Sequence, residues 1–471
     1  MVMSIRSADP IPLPSARGEA PLTSPSSARQ VYAVPGAFDR SSAHMKRAHD
    51  LIPGGAHTYA KGDDQFPEHM TPVIVRGQGC HVFDLDGNRY IELGSGLRSV
   101  TLGHAHPRIC EAAARAMHQG TNFVRPAALE LQAAEAMLAN VPGADMIKFA
   151  KNGSDATTAA VKLARAYTGR DLIALCHDQP FFSTDDWFIC TTPMDAGITE
   201  ATRRETLTFR FNNLQSLQDL FDQFPNRIAA VLMEAERDEV PAPGYLQAVK
   251  ELAHRNGALL IFDEVIAGMR LGSGGGQVLH NITPDLSTFG KAIANGFALA
   301  ALAGKREFME LGGLRQAERD RVFLLSTTNG AESHALAASI ETIAIYRERD
   351  VISNLRRIGE TLRDGFNAIS REHGIADYLQ TAGHPSNLVF VTKDPDHHKS
   401  QPYRTLFMQE LIRRGVLAPS LVVSDAITER DLDHLFWAID GAAGVYARAL
   451  SDGIEPFLEG RPVKPVFRKR I

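Results

Sequence analysis

From residue 44 onward the apolar residues follow two rhythms. Short apolar runs (MIKFA from Met146, LIALC from Leu172, IAAVLM from Ile228, ALLIF from Ala258) are separated by longer stretches with apolar positions at helical spacing. Between about residues 108 and 350 this alternation predicts a mostly parallel sheet covered by helices. Ahead of it, residues 82–93 (VFDLDGNRYIEL) alternate around an Asp-Gly turn and predict a hairpin. After about Arg347 come a long helical stretch (NLRRIGETLRDGFNAISREHG), a strand near residues 387–392 and a final amphipathic stretch (ERDLDHLFWAIDGAAGVYARAL). These predict a smaller α+β domain over residues 347–471, beside a large α/β domain over residues 101–346. Residues 1–43 are rich in Ser, Pro and Ala without a steady period and read as a disordered N-terminal extension. Arg6, Arg17 and Arg29 alternate with Ser as in a transit peptide, but Asp9 and Glu19 stand against that reading.

Composition narrows the classes. The 471 residues are 44% hydrophobic and 22% charged, enough for a sizeable core. Fifty basic against 55 acidic residues give a net charge of -5, which argues against a nucleic-acid or other polyanion partner held by charge. Cys80, Cys110, Cys176 and Cys190 form no C-x-x-C pair and no zinc-finger set. A disulfide scaffold and a metal site are therefore not expected, and a reduced, cytoplasmic protein is. The most apolar uncharged run, residues 292–304, is short and contains Asn295, so no membrane span is expected. The C-terminal RPVKPVFRKRI carries five basic residues and no acid and reads as a solvated tail.

Three segments carry candidate chemistry. Asn152-Gly153-Ser154-Asp155 follows a strand and opens a helix with apolar positions at Ala156, Ala160, Leu163 and Tyr167. Free backbone N–H groups, a glycine and a hydroxyl suit a phosphate there, and an ordinary N-cap suits the same residues. ALLIFDEV ends a buried strand in Asp263 and Glu264, placing two carboxylates at the sheet edge where α/β folds bind ligands. Such a pair can cap a helix, bind a metal, act as general acid and base, or hold a cationic ring nitrogen. Lys291, in STFGKAIANGF, has small and apolar neighbours. It is either a surface lysine with a snorkelling stem or a desolvated amine of lowered pKa, able to form a Schiff base. Together a phosphate cradle, a carboxylate and a lysine are the grips needed by pyridoxal 5'-phosphate (PLP). The glycine run at residues 272–276 lacks the G-x-G-x-x-G spacing and the preceding first strand of a dinucleotide site.

With these segments in place, the chain resembles the class III aminotransferases of fold type I, and among them glutamate-1-semialdehyde 2,1-aminomutase and its relatives. The resemblance covers about residues 45–445. It is carried by IPGGAHTY, VFDLDGNRYIEL, LGHAHP, KNGSDATTAAVKLARAYTGRD, GALLIFDEVIAGMR, TPDLSTFGKAIANGF and RRGVLAPS, in that order. It implies a large PLP domain with a mostly parallel central sheet and a small α+β domain to which residues 44–100 contribute. It implies Lys291 as the Schiff-base lysine, Asp263 as partner of the pyridine nitrogen, and Val265 as support for one face of the ring. Gly153 and Ser154 match the phosphate-binding Gly-Thr pair, Glu234 the Glu of a Glu-Pro element, and Thr328 a Thr that reaches the phosphate from a second subunit. A homodimer with shared sites follows from the last.

The departures bear on substrate. Where the family has Tyr-His-Gly, this chain has Gln179-Pro180-Phe181-Phe182, so Phe181 is expected to stack on the cofactor, with Phe182 in reserve. His57, Tyr59 and Lys61 occupy the stretch where the aminomutase carries a carboxylate-binding Arg; Lys61 stands about in its place and is not its equivalent for bidentate binding. Ala235-Glu236-Arg237-Asp238-Glu239 replaces the aminomutase's Asn-containing segment. Arg98 and Arg125 are extra arginines that either bind substrate or serve as structural or solvated charges. The resulting expectation is a transfer of an amino group from a donor such as glutamate to a polar carbonyl acceptor, an oxo-sugar or keto acid. An intramolecular aminomutase is the alternative.

Overall fold

The computed structural model describes residues 28–181, 183–316 and 318–470. Its strands, in chain order, are β1 (Ile74–Gln78), β2 (His81–Asp84), β3 (Arg89–Glu92), β4 (Met146–Ala150), β5 (Leu172–Cys176), β6 (Thr206–Phe209), β7 (Ile228–Met233), β8 (Leu259–Asp263), β9 (Leu286–Phe289), β10 (Ala300–Gly304), β11 (Leu379–Ala382), β12 (Val389–Thr392) and β13 (Val416–Leu417). Seven of them form the central sheet in the order β4-β10-β9-β8-β7-β5-β6. The run from β9 to β6 is parallel, while β10 is antiparallel to both of its neighbours.

Alternation along the buried strands builds two cores. Ile173, Leu175, Ala230, Leu232, Leu259 and Ile261 face one side, with Ala160, Leu163 and Ala164 of the helix Gly153–Thr168. Leu172, Ala174, Val231, Met233, Leu260 and Phe262 face the other, with Leu217 of Leu214–Gln223 and Val249 of Tyr245–Arg255. Successive side chains of a strand point to opposite faces, so five-residue runs that are wholly apolar feed both layers at once. β4 also runs with β9, because two antiparallel steps separate them. The chain therefore leaves β4, β5, β7, β8 and β9 at one edge of the sheet.

The second sheet, β1-β2-β3-β13, joins the two ends of the sequence: Val416 and Leu417 pair in parallel with Ile91 and Glu92. The hairpin expected over residues 82–93 is β2 and β3. The long helices follow as Val351–Glu372 and Glu429–Asp452.

Three expectations are corrected. The sequence predicts disorder as far as residue 43, yet a helix spans Asp39–Leu51. Before it, the Tyr32 hydroxyl donates to Asp431 at 2.7 Å and the Val31 N–H to His434 at 3.1 Å. Residues 1–27, the bulk of the expected extension, lie outside the described residues. Tyr167, assigned to the apolar stripe of its helix, is 41% exposed and meets Phe308 edge-on. The basic tail is not simply solvated: Arg468 pairs with Asp64 at 2.6 Å, and the Arg461 and Lys464 N–H groups donate to Glu68 and the Asp64 carbonyl. Among the described residues no helix is long and apolar enough to cross a membrane.

Candidate active site

Lys291, Asp263, Glu234 and Gly153 all lie at the edge where the parallel strands end. Asp263 is the last residue of β8 and 4% exposed. Its Oδ1 accepts hydrogen bonds from the Val265 N–H at 2.9 Å and the Thr288 hydroxyl at 3.2 Å. Its Oδ2 has no hydrogen-bond partner among the described residues. Burial pushes the Asp263 carboxyl above the usual carboxylate range, while the Val265 N–H and the Lys291 ammonium pull it back.

Lys291 follows β9 by two residues and begins a short 3-10 turn with φ of 49°, a left-handed conformation unusual for a side chain of this size. Its Nζ makes no hydrogen bond or ion pair among the described residues. Burial pushes its pKa down to about 8, and the Asp263 and Glu234 carboxylates resist that shift. An unpaired amine of lowered pKa beside an unpaired carboxylate oxygen is the desolvated form of the two lysine readings.

Glu234 follows β7 and is held at its backbone by Gln179, whose amide donates to the Glu234 carbonyl at 2.9 Å and accepts from its N–H at 2.8 Å. Burial pushes the Glu234 carboxyl up to about 7, and the Arg237 guanidinium, 3.2 Å from Oε1, opposes this. Glu234, Asp263, Gln179 and Phe181 line one small cavity. Phe181 stacks on Phe188 at 3.5 Å between ring centroids. Phe182 lies outside the described residues.

The expected phosphate cradle is a true helix start. The Asn152 side chain accepts from the Asp155 N–H at 3.1 Å. The Ser154 hydroxyl oxygen accepts from the Thr184 N–H at 3.2 Å, which leaves its own proton to donate. A Cβ on Gly153 would sit 3.1 Å from Val265, so glycine is what lets the loop approach the side chain that follows Asp263. Glu264, the other carboxylate of the pair, turns away: its two oxygens accept from the Gly276 and Gln277 N–H groups, each at 2.8 Å. It anchors the glycine run and is no part of the Lys291 cluster.

The substrate candidates, and Thr328 as the expected phosphate contact of a second subunit, divide. His57, Tyr59 and Lys61 are exposed, and none makes a side-chain hydrogen bond or ion pair among the described residues. His57 and Tyr59 line an open hollow with Leu51 and Pro53. Arg125 is likewise exposed and unpaired. Thr328 is exposed, its carbonyl accepting from Asn122 at 2.8 Å, while neighbouring Glu332 pairs with Lys151. None of these five joins the Lys291 cluster within this chain.

Arg98 does join it. Ser95, Gly96, Leu97 and Arg98 form a left-handed turn with φ of 46°, 56°, 56° and 71°. Left-handed backbone costs roughly 1–2 kcal/mol per non-glycine residue, so three such residues need support. The Ser95 hydroxyl donates to the Val100 carbonyl at 3.0 Å, and the Gly96 N–H donates to Glu92 at 3.0 Å. Fully buried Arg270 donates to the Arg98 carbonyl and the Ser95 hydroxyl, each at 3.3 Å. The segment continues onto the lysine turn, where Asn295 accepts from the Leu102 N–H and donates to the Gly103 carbonyl, each at 3.0 Å.

Arg237, Thr288, Gln179, Asn387 and Arg270 were missed from sequence. For Arg237 a signal existed: Glu-x-x-Arg spacing allows the pair with Glu234.

These features define a PLP-dependent enzyme of fold type I. The residues fit the cofactor: an unpaired lysine amine, an unpaired carboxylate oxygen, and a glycine-opened helix start with a free hydroxyl proton. The chain belongs to the family Aminotransferase class-III, which it matches over residues 62–418. It is 31% identical to glutamate-1-semialdehyde 2,1-aminomutase 2 of Halalkalibacterium halodurans over 87% of this chain and 99% of that one. The glutamate-1-semialdehyde 2,1-aminomutase of Thermomicrobium roseum is similar to the same degree, 31% over 87% of this chain and 99% of its own. Among solved structures, the FumI protein of Sphingopyxis sp. MTA144 in its PLP internal aldimine form superposes with a TM-score of 0.80 at 28% identity, covering 89% of this chain and 100% of that one. A β-phenylalanine aminotransferase from Variovorax paradoxus gives 0.76 at 25% identity over 88% of this chain and 95% of that one. The matched family range begins after Lys61, so the stretch carrying His57, Tyr59 and Lys61 lies outside it.

Proposed function

We propose that this aminotransferase moves an amino group from an amino acid donor, such as glutamate, to a polar carbonyl acceptor, an oxo-sugar or keto acid, and works as a cytoplasmic homodimer. The observation that carries the reading is Lys291: a free amine, lowered to about 8, at the sheet edge beside Asp263. PLP, when bound, supplies a carbonyl that takes up the amino group and a ring that accepts electron density. Lys291 would serve as the base that takes a proton from the donor's reacting carbon, and a base near neutrality suits that task. Asp263 would hold the proton on the ring nitrogen through Oδ2. Gly153 and Ser154 would hold the phosphate from the helix start, Val265 would support the ring, and Phe181 and Glu234 would close the side toward the cavity. Thr328, exposed on its own subunit, would serve the phosphate of a partner, which is the argument for a dimer.

The aminomutase names of the relatives keep the intramolecular reading in play, and exposed Lys61 in place of the carboxylate-binding Arg weighs against it. The test is a half-reaction screen: the amino-loaded enzyme is offered oxo-sugars and keto acids, and recovery of the aldehyde absorbance is read. Recovery only with an amino aldehyde, and turnover of that aldehyde without a donor, would overturn the transferase in favour of the mutase.

A further inference from the structure

The strained turn at residues 95–98 has no part in the roles of Lys291 and Asp263. Strain of this kind persists where surrounding contacts over-determine it, and it concentrates at ligand-binding positions. The contacts here are unusual. Arg270 is 0% exposed and has no carboxylate partner; besides the turn, its guanidinium donates to the Ser386 carbonyl at 2.9 Å and the Val423 carbonyl at 3.0 Å. It thus clamps the turn to segments contributed by the C-terminal part of the chain. The next residue there, Asn387, is 2% exposed and accepts from Arg98 Nε at 2.8 Å. A Cβ on Gly383 would lie 3.1 Å from the Asn387 carbonyl and 3.4 Å from the Arg237 carbonyl, so the Arg98–Asn387 pair adjoins the turn that carries Arg237. The other end of the segment is bonded to Asn295 on the lysine turn.

Charge accounting leaves Arg98 over. Arg237 is paired with Glu234. Glu92 is occupied by the Gly96 N–H and by His104 at 3.0 Å, and Asp238 stands beside Arg237. The two Nη groups of Arg98 make no hydrogen bond or ion pair among the described residues. A guanidinium fixed through Nε and free at both Nη groups presents a planar fork, the geometry that a carboxylate fills.

We propose that Arg98 is the carboxylate-binding residue of this site, positioned by Asn387 and Arg270, and that the substrates are amino and oxo compounds bearing a carboxylate. The proposal rests on the aminotransferase reading and sharpens it. Of the two acceptor classes it selects keto acids, and of oxo-sugars only those that carry an acid group.

The experiment uses the PLP-loaded enzyme with two paired probes. Propionate and propionamide are titrated while the cofactor band and the heat of binding are followed. Alanine and ethylamine are compared as donors in the half-reaction. The expected result is propionate binding at least about tenfold tighter than propionamide, and alanine favoured over ethylamine by about 30- to 100-fold in kcat/KM. Both ratios collapse toward one in Arg98→Ala, and Arg98→Lys keeps only part of them. In Asn387→Ala the loss falls on KM for alanine rather than on kcat. Should Arg98→Ala fail to fold, Arg98→Gln replaces it with the same expectation. The proposal is overturned if the wild type does not discriminate either pair, or if the Arg98 variants keep the discrimination. A preparation that binds PLP and converts ethylamine as well as alanine defeats this proposal alone. One that binds no PLP and converts no amine defeats the reading on which it rests.

Discussion

Replacing Asp263 by Asn separates the chemistry of the site from its architecture. Oδ1 accepts the Val265 N–H at 2.9 Å and the Thr288 hydroxyl at 3.2 Å, and an Asn carbonyl oxygen keeps both bonds. The other oxygen becomes an NH2 group, which cannot accept a proton from a ring nitrogen. Burial raises the Asp263 pKa above its unfolded value, so the wild type loses stability as pH rises through the carboxylate range and the buried group must ionise. The neutral Asn variant without cofactor is therefore as stable as the wild type at pH 7, or more so. The rate behaves differently. Removing one partner of a buried charge-assisted pair costs about 3–5 kcal/mol, and each 1.36 kcal/mol is tenfold, so the half-reaction slows by roughly a hundredfold to several thousandfold. Stopped-flow absorbance with saturating donor gives the rate, and thermal melting of cofactor-free protein gives the stability. A variant that is fully loaded with PLP and reacts within about threefold of wild type would refute the assignment of Asp263 to the ring nitrogen.

Three further outcomes are expected. Lys291 is depressed from its ordinary value to about 8, so the folded cofactor-free protein is penalised below pH 8 and the penalty is relieved as pH rises toward 10. Lys291→Met without cofactor is then the more stable protein at pH 7, with an advantage that shrinks above pH 8; a difference in melting temperature that does not vary with pH contradicts this. Gly359→Ala places a Cβ in collision with the Pro385 carbonyl, and overpacking of backbone against backbone lowers stability by about 1–3 kcal/mol, seen as a lower denaturation midpoint. Glu234→Gln, which removes a group raised to about 7, leaves Arg237 without its buried carboxylate; the pH profile of the half-reaction between pH 6 and 8 changes shape, whereas an unchanged profile shows that Glu234 does not titrate in the working site.

Strands whose side chains feed two cores were legible because they are apolar without interruption: β5 and β7 are such runs, and so is β8 up to Asp263. β10 was not, because its AALAG sequence is small rather than β-branched and merges with the apolar residues after Lys291. Its antiparallel direction depends on pairing with both β4 and β9, which lies outside any local pattern. The Lys291, Asp263 and Gly153 positions were legible because each needs a local signature at a strand end. The local pattern left the roles of Asp263 and Glu264 undivided, and only the family resemblance pointed to Asp263, since adjacent residues diverge when one meets Thr288 and the other the Gly276 N–H. Arg270 and Asn387 were invisible for a related reason: both act through residues more than a hundred positions away.

The central claim is that Lys291 holds the cofactor, and borohydride reduction tests it most directly. The PLP-loaded protein is reduced, digested and sequenced by mass spectrometry. The account predicts a pyridoxyl-phosphate adduct on Lys291, and none in Lys291→Ala treated in parallel. An adduct on another lysine, or a wild-type protein that carries PLP and yields no adduct at Lys291, would contradict it.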